Sequence, residues 1–200
     1  MLRDAARILH GRFPAARFEL GLAPLIPFGM AAVPPDMKEY LKTVPDGIAR
    51  LGGASLALAV SGTVTLQTAL SGTPMVVGYR TSALTYRIGR ALVRIPWIAM
   101  PNVLAGRGVV PELIQGEATA ERFAEEAARL LEDTARYRSV SLDLVGLRER
   151  LRGKGGLARV AEAALRMAAG ESGEAVARSY AGAQERDPAR APGPSRGGGA

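Results

Sequence analysis

The stretch SLALAVSGTVTLQTALSGTPMVVGY, residues 55–79, contains a complete strand–helix–strand pattern. Residues 55–60 and 75–79 are short apolar runs, which are typical of strands buried in a parallel sheet. Residues 64–70 have helical character, and the turn Ser-Gly-Thr-Pro at residues 71–74 ends this helix. A strand, a helix and a second strand in this order predict an α/β fold with a parallel sheet.

The flanking sequence continues this alternation. A strand is predicted over residues 17–23, where Pro24 ends it, and an extended segment over residues 95–100. Helices are predicted at residues 35–41, 47–51, 81–94, 119–132, 144–151 and 157–169, with one more starting at residues 110–112, where Pro111 would occupy a first turn. We therefore expect a Rossmann-like parallel-sheet domain with carboxy-terminal helices.

The length of 200 residues predicts one folded domain, residues 1–169, and a tail, residues 170–200. Glycine, proline, alanine and arginine dominate the tail, and this composition predicts disorder. The net charge of +7 lies entirely in residues 1–170, because the tail contains equal numbers of acidic residues and arginines. A basic folded body favours an anionic partner, which is nucleic acid, a phosphorylated ligand or an anionic membrane surface.

The residue types exclude several classes of protein. Cysteine is absent, which excludes a disulfide framework, a zinc finger and a thiol nucleophile. His10 is the one histidine, so no multi-histidine metal site is expected, and we predict neither a metal nor a cofactor. Aromatic residues make up 5% of the chain, which argues against stacking on nucleic acid. The amino terminus lacks the apolar core of a signal peptide, so we expect a cytoplasmic protein.

The first candidate site is Ser61-Gly62-Thr63, where a predicted strand enters a predicted helix. Such a junction directs free backbone N–H groups beyond the sheet, and these groups together with the helix dipole suit a phosphate. The alternative is that a Ser or Thr side chain simply caps the helix.

The second candidate is a basic helix face that includes Arg87, Arg90 and Arg94, three and four residues apart, with Arg80 before it and Trp97 after it. This pattern suits a helix near anionic lipid headgroups or a phosphate. The alternative is a solvated arginine face on a helix that packs on the core. A third candidate is Asn102, which would follow an extended segment and lie where open α/β sheets bind ligands, unless it belongs to an ordinary turn.

Four motifs resemble lipid-A-disaccharide synthase, an inverting glycosyltransferase of GT-B architecture. They occur in the family's order and near the family's spacing, at residues 61–66 (SGTVTL), 74–80 (PMVVGYR), 101–106 (PNVLAG) and 110–115 (VPELIQ). The similarity runs from about Ala54 to Asp133 and continues more weakly at residues 155–159 (GGLAR). The resemblance therefore implies the carboxy-terminal, nucleotide-sugar-binding half of a GT-B enzyme.

The resemblance also implies a hexosyltransferase reaction of lipid A biosynthesis in a Gram-negative bacterium. UDP-2,3-diacylglucosamine would donate its sugar to 2,3-diacylglucosamine 1-phosphate, giving UDP and lipid A disaccharide phosphate at the cytoplasmic face of the inner membrane. Arg87, Arg90, Arg94 and Trp97 would then face that anionic membrane.

The resemblance also implies roles for individual residues of this chain. Ser61, Gly62 and Thr63 would face the diphosphate or the sugar, and Arg80 would add positive charge. Asn102 and Gln115 would line the donor pocket, with Asn102 in the catalytic role. Gln67 stands where the family usually has a glutamate, which related GT-B enzymes use on the nucleotide ribose; a glutamine accepts a hydrogen bond there without the charge.

The resemblance covers roughly the carboxy-terminal half of the family. The amino-terminal acceptor domain and its general base are missing, so Met1 is expected to lie inside a longer reading frame and the isolated chain is expected to be inactive. The expected protein partners are a separate amino-terminal half, which would complete the enzyme, or a second copy of the chain in a homodimer. The alternatives are a non-catalytic UDP-sugar-binding remnant and a peripheral membrane-binding module.

Overall fold

A computed structural model describes residues 1–22, 32–82, 85–87, 96–151, 166–167, 171–172 and 174–175. The chain divides into two compact units, Met1–Arg152 and Gly153–Ala200. The helices of the first unit that the structure describes are α1 (Leu2–Arg12), α2 (Thr63–Leu70), α3 (Met100–Ala105), α4 (Ala120–Glu132) and α5 (Thr134–Leu151). The strands are β1 (Phe18–Gly21), β2 (Leu41–Val44), β3 (Ala57–Val60), β4 (Met75–Tyr79) and β5 (Glu112–Ile114).

All strand pairs described are parallel. β1 pairs with β2, and β4 lies between β3 and β5 in a second sheet. The predicted α/β fold with a parallel sheet is confirmed, and the strand–helix–strand pattern of residues 55–79 appears as β3, α2 and β4.

The core of the first unit forms where β4 packs against α4. Met75, Val76 and Val77 of β4 are buried, and β4 has a neighbouring strand on each edge. Phe123 of α4 is completely buried against Gly78: a Cβ built on that glycine would lie 2.3 Å from the phenyl ring. Glycine is therefore required at this position for the helix to approach the sheet.

α1 packs beside α4, and the bidentate ion pair of Arg12 with Glu132 (2.6 and 2.7 Å) ties the two helices together. His10 of α1 stacks on Tyr40 with ring centroids 3.7 Å apart. A small second cluster of buried apolar side chains joins α1 to the β1–β2 pair, and it consists of Ala6, Met37, Tyr40 and Leu41. His10 thus has a packing role.

Several local predictions were wrong. Two segments predicted to be helical contain strands, because each of them pairs with another strand. The helix predicted over residues 35–41 is a 3₁₀ turn, Pro35–Met37, followed by β2, because Tyr40 O accepts from Phe18 N (2.7 Å) and starts the pairing with β1. The helix predicted to start at residues 110–112 is instead β5, since Pro111 O accepts from Val77 N (3.0 Å). The sequence interpretation also missed α1.

The segment around residue 100 also differs from its prediction. The sequence predicts an extended segment over residues 95–100, but Met100 already begins α3, with Pro101 in the first turn and Gly106 ending the helix at φ 66°. The short helix predicted over residues 47–51 is a turn, with a 3₁₀ turn at Leu51–Gly53. The helices at Ala120–Glu132 and Thr134–Leu151 confirm the predictions at 119–132 and 144–151, and the second begins ten residues earlier than predicted.

Some predictions fall largely on residues outside the described part of the chain. Of the helix predicted over residues 81–94, residues 85–87 are described and helical, and Ser82 Oγ accepts from Thr85 N (3.1 Å) in the manner of a helix cap. Of the helix predicted over 157–169, residues 166–167 are described and helical. The boundary at residue 170 and the disorder of the tail stay predictions.

Candidate functional site

The candidate site lies at the edge of the second sheet where β3, β4 and β5 end. Because the three strands are parallel, their carboxyl ends share this edge, and ligands of open α/β sheets bind beyond it. Residues 61–63 follow β3, Arg80 and Thr81 follow β4, and Gln115 follows β5. Hydrogen bonds join these ends: Ser61 N donates to Gly78 O (2.8 Å), and Thr81 N donates to Gln115 Oε1 (2.8 Å). The fold therefore brings three sequence-predicted segments together.

The amino terminus of α2 faces outward at this edge. Gly62 is the N-cap residue in extended conformation, and no side chain caps the helix among the residues described. Gly62 and Thr63 are exposed, and a Cβ built on Gly62 would meet no heavy atom within 4 Å. The alternative that Ser or Thr merely caps α2 is thus not what the structure shows. Of the first-turn N–H groups, Thr65 N donates to Gly62 O (3.1 Å), and those of Thr63 and Val64 are open to an anion.

The Ser61 side chain bonds within the protein, whereas the resemblance implies that it faces the diphosphate or the sugar. Its hydroxyl donates to Ile98 O (3.2 Å), which ties the β3–α2 junction to the segment that precedes α3. Thr65, buried in the first turn of α2, donates its hydroxyl to Gly62 O (2.7 Å). The junction is therefore held from both sides while Gly62 itself stays open.

Gln115 has a backbone that side-chain-bearing residues rarely adopt, with φ at 54°. Its amide holds the Thr81 backbone at two points, because Oε1 accepts from Thr81 N (2.8 Å) and Nε2 donates to Thr81 O (3.1 Å). Such strain costs on the order of 1–3 kcal/mol and persists where surrounding contacts impose it. Gln115 thus fixes the chain beside the exposed Arg80, whose side chain forms no ion pair within the described part of the chain.

Gln67 lies on α2, four residues after Thr63 and so on the same helix face. It is partly buried. Gln67 therefore shares a face of α2 with Thr63, and its place near a ribose stays a prediction.

Asn102 differs most from its prediction. It lies in α3 rather than after a strand, and its exposed fraction is 0%. Nδ2 donates to Val110 O (2.9 Å) and Glu112 Oε1 (2.8 Å), while Oδ1 accepts from the N–H groups of Val109 (2.8 Å) and Val110 (2.9 Å). An amide has two donor hydrogens and two acceptor lone pairs, so all four are used inside the protein. The arrangement supports a positioning role for Asn102.

Glu112 is a residue that the sequence interpretation did not select. Its carboxylate accepts from Ile98 N (3.0 and 3.2 Å), Ala99 N (2.9 Å) and Asn102 Nδ2 (2.8 Å). Glu112 belongs to the motif VPELIQ, residues 110–115, so the sequence did point to this region. The sequence interpretation took Pro111 as the start of a helix and therefore missed Glu112, because it is a strand that presents this carboxylate to the α3 amino terminus.

The predicted membrane-facing residues are only partly described. Arg87 is exposed and helical, whereas Arg90 and Arg94 lie outside the described residues. Trp97 is partly buried, and a Cβ on Gly108 would lie 3.0 Å from its ring. Within the described ranges, no helix is long and apolar enough to cross a bilayer, and no group of three acidic or imidazole side chains is placed to hold a metal. Orientation toward a membrane stays a prediction.

Residues 40–163 match the family model of lipid-A-disaccharide synthetase. The lipid-A-disaccharide synthase of Geobacter metallireducens is 39% identical in an alignment of 178 positions that covers 84% of this chain and 44% of that protein. The synthase of Anaeromyxobacter dehalogenans is 40% identical in an alignment of 167 positions that covers 81% of this chain and 43% of that protein.

The chain thus spans less than half the length of these curated relatives. A crystal structure of the glycotransferase of kitacinnamycin superposes with a TM-score of 0.56 at 20% identity, over 82% of this chain and 38% of that one, and this likeness supports the fold. Because the family model covers well over half of the chain, including β2 to α5 and the whole candidate edge, the chain belongs to the lipid-A-disaccharide synthetase family.

Proposed function

We propose that this chain is the donor-binding part of a lipid-A-disaccharide synthase. The complete enzyme would transfer 2,3-diacylglucosamine from UDP-2,3-diacylglucosamine to 2,3-diacylglucosamine 1-phosphate and release UDP. The observation that carries the proposal is the open amino terminus of α2 at the carboxyl edge of a parallel sheet, within the region that matches the family. A diphosphate leaving group requires this kind of preorganised positive end.

Each residue of the edge has a distinct part in this proposal. The first-turn N–H groups after Gly62 would hold the diphosphate, and Thr63 adds a hydroxyl donor beside them. Arg80, exposed on the neighbouring strand end, would supply the positive charge that balances UDP as it departs. Gln67 would accept a hydrogen bond from a ribose hydroxyl. Gln115 and Asn102 would act by holding the segments around the pocket.

The acceptor side of the reaction would come from elsewhere. A general base typically contributes ~100- to 10,000-fold, and a cleft that orients both substrates contributes more. By the resemblance, that base belongs to the amino-terminal acceptor domain of the family, and this chain spans less than half the length of its relatives. We therefore expect the chain alone to bind UDP without forming disaccharide, and a separate amino-terminal half to supply the base.

We further propose that the protein acts in the cytoplasm at the inner membrane surface. The substrates are acylated, the folded part of the chain is strongly basic, and the exposed Arg87 begins the predicted basic face. A purely membrane-binding module would use this face but would leave the α2 amino terminus without a ligand, so UDP binding separates the two functions.

The experiment is calorimetric titration of the full 200-residue chain with UDP. Gly62→Asp places a carboxylate in the open space before α2 and is expected to weaken UDP binding more than tenfold. Gly62→Asn has the same shape without the charge and is expected to bind UDP with nearly unchanged affinity. Gly52→Asp is the control for added charge, because Gly52 also has no heavy atom within 4 Å of a built Cβ. Equal affinity of Gly62→Asp and the original protein would refute the assignment.

A further inference from the structure

Glu112 connects the segments that surround the candidate site. Its carboxylate receives the N–H groups of Ile98 and Ala99 and one amide hydrogen of Asn102. Oε1 takes part in three of these bonds, whereas Oε2 accepts from Ile98 N alone. No arginine or lysine pairs with Glu112 within the described part of the chain. The carboxylate therefore serves the backbone in front of α3.

A continuous set of hydrogen bonds leads from Glu112 to the α2 amino terminus. Ile98 is held at its N–H by Glu112 and at its carbonyl by Ser61 Oγ (3.2 Å). Ser61 in turn donates its own N–H to Gly78 O (2.8 Å) and directly precedes the open Gly62. A shift of Ile98 thus changes the side-chain anchor of the junction that would bind phosphate.

We propose that Glu112 is a positioning residue of the donor site: by fixing Ile98 and Ala99 it fixes Ser61, and so the direction of the first-turn N–H groups of α2. The inference rests on the proposed function, because the ligand it serves is the diphosphate of UDP. Glu112 itself lies two residues before the end of β5, and because its carboxylate is bonded to Ile98, Ala99 and Asn102 it would act through Ser61 and not by contact with the ligand. Hydrogen bonds to a charged acceptor are stronger than neutral ones, which suits a carboxylate in this role.

The two variants Glu112→Ala and Glu112→Gln separate positioning from charge. Glu112→Ala removes every bond, and UDP affinity is expected to fall about tenfold. Glu112→Gln keeps an oxygen in the Oε1 position, where it still accepts from Ala99 N (2.9 Å) and Asn102 Nδ2 (2.8 Å) and, at 3.2 Å, from Ile98 N, but its Nε2 replaces Oε2 and so removes the shorter bond to Ile98 N (3.0 Å). Its UDP affinity is expected to stay within about threefold of the original, which is rescue by the conservative variant.

The energetic coupling between Glu112 and Ser61 tests whether the effect of Glu112 on UDP binding passes through Ile98 and Ser61. Ser61→Ala breaks the bond to Ile98 O, so Glu112→Ala and Ser61→Ala are expected to be non-additive in UDP affinity. Leu9→Ala, in the buried face of α1 away from the edge, is the control for general destabilisation and is expected to leave UDP affinity unchanged. Additive effects of the two site variants would overturn the proposal.

Amide hydrogen exchange gives a readout that needs no ligand. Glu112→Ala is expected to accelerate exchange at Ile98 and Ala99 and to extend the change to residues 61–64, whereas Glu112→Gln is expected to accelerate exchange at Ile98 less and to leave Ala99 and residues 61–64 near their original rates. Faster exchange confined to residues 98–110 would overturn the proposal, since Glu112 would then only stabilise α3. If the original chain fails to bind UDP while residues 61–64 still respond, the proposed function fails and the positioning of the junction by Glu112 stands.

Discussion

Replacement of Asn102 distinguishes a catalytic role for this residue from a positioning role. A catalytic role predicts that Asn102→Ala removes activity and leaves the fold intact. The structure predicts loss of stability, because the side chain is fully buried and is the hydrogen-bond partner of Val109 N, Val110 N and Val110 O.

The size of the loss follows from the groups left without partners. Asn102→Ala leaves three backbone groups unpaired, and each buried unsatisfied group costs about 1–3 kcal/mol. Water that enters the vacated space recovers part of this cost, so we expect a net loss of about 3–5 kcal/mol, at the upper end of the range for single substitutions. For a domain of this size the corresponding fall in Tm is about 10 °C.

Asn102→Asp gives a sharper test because it keeps the shape. One oxygen still accepts from Val109 N and Val110 N, but the other replaces Nδ2 and faces Glu112 Oε1, which is 2.8 Å from that atom. Two carboxylates this close cannot both be ionised, so one pKa rises in the folded state. A raised folded-state pKa means that stability is complete below the unfolded-state pKa and is lost as the pH rises through the folded-state value. The variant should therefore be more stable in mild acid than at neutral pH.

Thermal unfolding followed by circular dichroism between about pH 4 and pH 8 measures both effects. Asn102→Ala should have a Tm about 10 °C lower across the range, and Asn102→Asp should lose stability progressively with rising pH, relative to the original protein at each pH. An Asn102→Ala protein with unchanged Tm would contradict the buried positioning role. It would return Asn102 to the catalytic role implied by the family resemblance.

Two further variants test the edge and the sheet beneath it. Gln67→Glu supplies the charge that the family usually has at this position. A charge-assisted hydrogen bond to the ribose should then tighten UDP binding by about fivefold, as measured by calorimetry. An unchanged affinity would show that Gln67 does not belong to the ribose site. Gly78→Ala places a methyl group 2.3 Å from the ring of Phe123. This overpacking should lower the free energy of unfolding, measured by urea titration, by about 1–3 kcal/mol. An unchanged free energy of unfolding would show that α4 moves freely away from β4.

The part of the fold that local sequence could predict is the part where local preference and tertiary pairing agree. Residues 75–79 are apolar, form β4 and have a neighbouring strand on each edge, so their composition alone is sufficient. Leu41–Val44 has no such composition, since Lys42 and Thr43 separate the buried Leu41 and Val44. That strand is specified by its partner: Phe18 lies opposite Leu41 and Gly21 opposite Val44, and no local window contains both members of these pairs.

The same distinction applies to the candidate site. The strand-to-helix junction at residues 61–63 could be predicted, because it depends on where a strand ends in the chain. The family resemblance alone assigns Gln115 to the donor pocket, since the strand that it follows is predicted from the sequence as a helix start. The direction of each polar side chain at this edge could not be predicted. Asn102 and Glu112 are ten residues apart, and their contact depends on a helix and a strand that converge only in the folded protein.

The motif VPELIQ shows how one short strand serves two different segments of the edge. Glu112 begins β5 opposite Val77 of β4, and Gln115 follows the strand at its carboxyl end. Glu112 therefore reaches the backbone N–H groups in front of α3, whereas Gln115 reaches the Thr81 peptide that follows β4. Because Ile98 is bonded both to Glu112 and to Ser61, the same three-residue strand also influences the segment that follows β3. A substitution in β5 is thus expected to alter the open amino terminus of α2 without touching it.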